Sequence, residues 1–513
     1  MVAPRPLRPL ALAVMLTAAW SGAPANAEQV AVVDGDSVES VEDPFVPSRA
    51  QTDLGPAPGS PRIRAYPAAN GPRAVDRVLA RAGRTQAISR AELSGYRQVY
   101  RQGRSTWRLL AGPRKRELGY VVQSLERLAL GGRLTPQRMR VMFLQLRRNS
   151  AYWASKPFPA VGAPLTFRGS EILFQYFPGR GLQFHPLANF KKANLLHGAC
   201  ARSGSGKPVC GANPPGPRQG TPCRPARLRR LLDELSGLAV PRGRGFVAWE
   251  YMFHFGAGSP PWISGMAQAT AISALGRAAK LLGRPDYNVT AQAALGAFEA
   301  RRPVGVSTTG PLGGVHYLQY SFAPRLFIFN AFMHALVGLH DFGRLAPDSR
   351  ATRLFAQAEP AARNEVAHSD VGDWSRYSFR GRESTQVYHE LLREVLQGMG
   401  RRLGLTSIYC TTAIRYRGYQ TQPPTLTFNG PQETAGKRPA RVRFTLSKLS
   451  VVELKIYKGD RLAHRMLATF RRGSRSFAWR PKSTGRYAIR IGAKELRTGR
   501  SLRGRATGAI VVK

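Results

Sequence analysis

The chain has 513 residues, a hydrophobic fraction of 43% and a formal net charge of +47. That length allows two to four domains, and the apolar content excludes a disordered polyelectrolyte as a whole. The charge favours polyanions as partners, although the arginines are scattered through every region, as an Arg-rich coding bias would also produce.

Residues 1–27 read as a secretory signal: Arg5 and Arg8 form the positive head, Leu10 to Trp20 the short apolar run, and Ala25-Asn26-Ala27 the cleavage site. The run is too short for a permanent span. The expected protein is secreted, extracellular or cell-wall associated, with no integral membrane segment after signal removal. Export argues against a nucleic-acid role, and an acidic sugar polymer suits both charge and compartment.

Residues 28–75 are rich in Pro, Gly, Ala and Ser and read as a linker. Residues 76–160 form a small helical region. Its clearest stripe is Leu118, Val121, Val122, Leu125 and Leu128, and Thr135-Pro136 is a helix start. Residues 161–224 hold a β-hairpin around Pro178-Gly179 and a loop with Cys200, Cys210 and Cys223. With Cys410 these allow three disulfide connectivities, of which one local bridge plus a tie to Cys410 is the reading preferred over a zinc site.

Residues 225–418 are mainly helical, with aromatic loops between the helices. Repeated helix pairs suggest an α/α toroid. Residues 419–513 change to a period of two, as in Val442, Phe444 and Leu446, and read as a β-sandwich. Their strand and turn order resembles Ig-like modules. The fold class expected is therefore multidomain α+β.

Three segments carry a more specific resemblance. Pro261-Trp262-Ile263-Ser264-Gly265-Met266-Ala267-Gln268 through Ser273 is the first, Asn330-Ala331-Phe332-Met333 through Asp341 the second, and the loop Asp370 to Phe379 the third. Together they resemble the C-terminal domain of the D-glucuronyl C5-epimerase family over roughly residues 245 to 405. The hairpin Phe174 to Asn194 is similar to a segment that precedes that domain in bacterial members. The resemblance implies an isomerase that removes the C5 proton of a glucuronyl residue in a heparan sulfate-like polysaccharide and returns one from the opposite face. It implies no nicotinamide, metal or other cofactor, and it carries an expectation of a homodimer.

Such chemistry needs a base on one face of the ring, an acid on the other, and neutralisation of the enolate. The family's tyrosines match Tyr317, Tyr320 and Tyr377. Its two glutamates between the first pair are replaced by Leu318 and Gln319, and an amide does not accept a proton usefully near neutral pH. Glu250 and His316 are the alternative bases. Gln268, Gln319, Arg325, Arg376, Trp262, Tyr388 and His389 are the expected substrate-binding residues, Arg325 and Arg376 as carboxylate clamps. Three readings stay open: an uronyl C5-epimerase, a carbohydrate-binding protein derived from one, and a polysaccharide lyase that starts from the same proton removal.

Overall fold

The computed structural model describes residues 28–59, 70–201, 210, 220–243, 245–436 and 439–513. The expected signal segment, residues 1–27, lies outside these, as do residues 60–69 of the expected linker and most of the cysteine loop.

The first described residues correct the linker reading. Strand β1 (Glu28–Asp34) turns back at Gly35 into β2 (Ser37–Asp43). Val30 and Val33 are buried, and the chain then runs through buried Phe45 and Val46 to a single helical turn, α1 (Arg49–Thr52). The reason is tertiary: β1 pairs in parallel with a distant strand, a contact that local composition does not reveal.

Four helices follow: α2 (Asn70–Arg84), α3 (Arg90–Leu109), α4 (Gly112–Leu130) and α5 (Pro136–Ser155). A capping box of Ser89 and Glu92 starts α3, and the Thr135 cap with Pro136 starts α5 as expected. The stripe from Leu118 to Leu128 is buried against neighbouring helices. Strands β3 (Pro164–Phe167), β4 (Phe174–Phe177) and β5 (Gly181–Phe184) complete a five-stranded sheet in the order β2-β1-β3-β4-β5. The buried Glu117 carboxylate accepts the amides of Gly179 and Gly181 and so fixes the β4–β5 turn.

The central region contains α6 (Pro186–Cys200), α7 (Pro225–Gly237), β6 (Val240–Arg242), β7 (Phe246–Ala248), α8 (Gly265–Leu282), α9 (Pro285–Ala294), α10 (Gly296–Glu299), β8 (Ser307–Thr309), β9 (Val315–Tyr317), α11 (Phe329–Leu345), α12 (Ser349–Val366), α13 (Gln386–Leu403) and α14 (Ile408–Thr421). Helices α6, α8, α11 and α13 pack side by side in that order, and α7, α9, α12 and α14 each pair with the preceding member of the row. Small residues let the row close up: a Cβ on Gly338 of α11 would lie 2.5 Å from the Ala269 carbonyl of α8. Disulfides Cys200–Cys223 and Cys210–Cys410 tie the loop after α6 to α7 and α14, the local bridge and the long tie of the preferred reading.

The last strands are β10 (Leu426–Gly430), β11 (Glu433–Thr434), β12 (Ala440–Leu446), β13 (Ser450–Lys458), β14 (Arg461–Phe470), β15 (Gly473–Trp479), β16 (Gly485–Glu495) and β17 (Ala506–Val512). They form two sheets, β10-β12-β15 and β11-β17-β16-β13-β14, over a separate core that includes Val442, Phe444, Ile456 and Ile489. The protein is thus a multidomain α+β chain. Among the described residues no helix is long and apolar enough to cross a membrane.

Candidate functional site

The row α6, α8, α11, α13 brings four helix N-termini to one side. Leu187, Met266, Ala267 and Ala331, from the first turns of α6, α8 and α11, share one aromatic cluster with Tyr251, Phe253, Phe255, Trp262 and Tyr320. Tyr388, in the first turn of α13, meets Tyr377 edge to face at 4.8 Å.

Local hydrogen bonds explain the placement. Ser264 caps α8, its Oγ accepting from Ala267 N, and the same hydroxyl donates to Gln319 Oε1 at 3.2 Å. Gly265 N donates to Leu318 O, and Ser321 N donates to Ile263 O. The segment after β9 that carries Tyr320 is therefore laid across the start of α8. A bridge between Ile328 and Ser378 sets Tyr377 at the start of α11 in the same way.

Three tyrosine hydroxyls converge there. Burial pushes the Tyr320, Tyr377 and Tyr388 hydroxyls well above the ordinary phenol value, and the Asp53 carboxylate adds to each. All three are neutral donors near neutral pH. The Tyr388 hydroxyl is buried with no hydrogen-bond partner among the described residues. Tyr320 donates to the carbonyl of Leu54. Residues Asp53, Leu54 and Gly55 enter the site from the segment expected to be a linker. Nothing in their local pattern marks them.

The other expected site residues are held elsewhere. Glu250 is buried, its oxygens accepting from Arg138 Nε and Nη2 at 2.7 and 2.9 Å and from Arg242. A carboxylate clamped by two guanidinium groups is a poor general base. His316 is buried against Phe332 and pairs with Glu365. Tyr317 donates to the Leu354 carbonyl at 2.8 Å and packs on Phe298. Its ring lies with the helices behind β9 rather than with Tyr320.

Gln268 exchanges two hydrogen bonds with the Trp249 backbone. Trp262 stacks on Tyr251 at 4.1 Å and donates to Phe253 O. The His389 ring nitrogens meet Ser375 Oγ and Tyr416 O. Arg376 donates to Gly381 O, and Arg325 is exposed. Polar atoms already used in packing are expensive to lend to a ligand. The convergent set is therefore Tyr320, Tyr377 and Tyr388, with Gln319 beside them.

Residues 243–418 match the family described as D-glucuronyl C5-epimerase C-terminus. Over those residues the chain carries the C-terminal domain of that family. The D-glucuronyl C5-epimerase of Caenorhabditis elegans is 35% identical over 86 residues, which are 17% of this chain and 14% of that protein. The chain thus matches a small part of the length of that curated relative. Among solved structures, the CARDB domain of PF1109 from Pyrococcus furiosus aligns at 20% identity over 18% of this chain and 97% of that domain, with a TM-score of 0.14.

Proposed function

We propose that the protein is a uronyl C5-epimerase, an isomerase that acts on a uronate-containing polysaccharide. The observation that carries this reading is the convergence of the Tyr320, Tyr377 and Tyr388 hydroxyls within the matched domain. Removing the C5 proton puts negative charge on the uronate carboxylate as an enolate. Neutral phenols aimed at that charge stabilise it, and so do the N-termini of α8, α11 and α13. Water takes the C5 proton on one face, a phenol hydroxyl on the opposite face gives its proton to C5 and inverts the centre, and solvent reprotonates the resulting phenolate.

A second reading has its own observation. Gln319 stands where the family carries a glutamate, and an amide leaves proton removal without a carboxylate at that position. On that reading the site binds acidic sugar without turnover. Export belongs to the same proposal and is supported by the two disulfides. So do an α/α toroid-like array and an Ig-like spacer, supported by the paired helices and the two facing sheets.

The test is C5 exchange in D2O with a panel of glucuronate polysaccharides, read by NMR. Deuterium at C5 with iduronate formation supports the epimerase. Binding without exchange supports the second reading. Exchange with a rise in ultraviolet absorbance moves the protein to the lyases.

A further inference from the structure

The segment after β2 lies across the three tyrosines. Asp43 holds its start through Arg227, at 2.6 Å, and Phe45 and Val46 are buried. From α1 the chain enters the aromatic cluster, where Leu54 is 3% exposed. Its carbonyl accepts from the Tyr320 hydroxyl. Gly55 has φ +84, and a Cβ there would lie 2.2 Å from the Tyr377 hydroxyl and 3.2 Å from that of Tyr388. That conformation and that space admit glycine alone. Further on, Pro58 O accepts from Ala257 N at 2.7 Å, and Gly256 leaves room for it.

A peptide group therefore sits among the three hydroxyls assigned to the sugar. The Asp53 carboxylate, one residue before that peptide, adds to the upward push on all three phenols. Asp53 is itself exposed, its Oδ1 accepting from Gly55 N at 3.0 Å. The segment makes no helix or strand pairing from Asp53 to Pro58, and the carbonyls of Leu54 and Pro58 tie it to the cleft. Such a contact opens at lower cost than a strand in a sheet.

We propose that residues 53–58 are an internal ligand of this site: the Leu54–Gly55 peptide holds the place of the sugar ring among the hydroxyls of Tyr320, Tyr377 and Tyr388. Polymer binds by displacing the strap, so the strap sets apparent affinity through the fraction of open molecules. This rests on the reading of the tyrosine cluster as the uronate site.

The experiment compares the full chain with its Gly55→Ala variant, using tetranitromethane and mapping each nitrated tyrosine by mass spectrometry. The expected result is nitration of Tyr320, Tyr377 and Tyr388 about tenfold faster in the variant, reversed by a synthetic peptide of residues 48–58. Equal rates in the two proteins, or no protection by the peptide, would overturn the proposal. Should the variant not fold, hydrogen exchange of the wild-type chain decides. A bound glucuronate–N-acetylglucosamine hexasaccharide is expected to speed exchange at residues 54, 55 and 57, and unchanged protection at saturation would overturn the proposal. Faster nitration and peptide protection without C5 exchange on any polymer would leave the strap established and remove the enzyme.

Discussion

His316 Nδ1 lies 3.1 Å from each carboxylate oxygen of Glu365, and neither side chain has exposed surface. The pair joins β9 to α12, and the chain runs on from β9 into the segment that carries Gln319 and Tyr320. A histidine and a glutamate so placed hold a loop rather than exchange protons with a polymer. Glu365→Ala removes the partner of a buried ring nitrogen. It is expected to cost about 1–3 kcal/mol of stability in denaturant unfolding.

Tyr317 and Tyr377 separate packing from chemistry. Tyr317→Phe loses a buried hydrogen bond to Leu354 O, at a cost of about 1 kcal/mol, and leaves C5 exchange near wild type. Tyr377→Phe is expected to lower exchange at saturating polymer by about a hundredfold while the unfolding midpoint stays close to wild type. Equal loss of activity in both variants would place the site elsewhere.

Gln319→Glu restores the carboxylate type that the family carries. Ser264 Oγ already donates to Oε1 at 3.2 Å, so a donor for the new carboxylate is in place. If the amide limits proton removal, exchange rises by about a hundredfold at neutral pH, since positioned acid–base groups contribute on that order. An unchanged rate would show that the proton acceptor lies elsewhere.

The helices were legible where a stripe or a cap marks them. The stripe Leu118 to Leu128 becomes α4, and the Thr135-Pro136 start becomes α5. The alternation of Val442, Phe444 and Leu446 likewise becomes β12, buried on one face. The N-terminal hairpin was not legible. Its stability comes from Ala31 and Val33 pairing with Leu165 and Phe167, a contact between distant parts of the chain. Helix α14 lies mostly inside the region read as mainly helical, and buried Tyr409, Ala413 and Tyr416 follow its spacing. The tyrosines Tyr320 and Tyr377 were visible through the family resemblance. Asp53 and Gly55 were not, since their importance lies in what they touch.

Two glycines give opposite expectations for the same substitution. In α3, a Cβ on Gly95 meets nothing within 4 Å, so Gly95→Ala gains helix propensity and raises stability by about 1 kcal/mol. In α11, the Cβ of Gly338→Ala would lie 2.5 Å from the Ala269 carbonyl. The obstacle is backbone, so the two helices must part. Overpacking of about 1–3 kcal/mol outweighs the propensity gain. Thermal unfolding should show a higher Tm for the first variant and a lower one for the second.

Glu171 supplies the clearest dependence on pH. Burial alone would raise its carboxyl. The Arg227 guanidinium and the Lys192 ammonium outweigh that and hold it at about 2, against an ordinary value of 4.5. Lys192 Nζ donates to Glu171 at 2.8 Å, and Arg227 also reaches Asp43, so the group links α6 and α7 to the N-terminal hairpin. A depressed carboxyl binds its proton more readily in the unfolded chain. Its contribution is therefore fully present above about 4.5 and is lost as pH falls from there through about 2. Glu171→Gln leaves the Lys192 ammonium buried without its counter-charge and is expected to cost about 3–5 kcal/mol at neutral pH. The gap between wild type and variant should narrow as denaturant unfolding is repeated below pH 4.5, because protonation then takes from the wild type the charge that the variant already lacks. A gap that stays constant down to about 2 would mean that the carboxylate is not the group that couples this junction to pH.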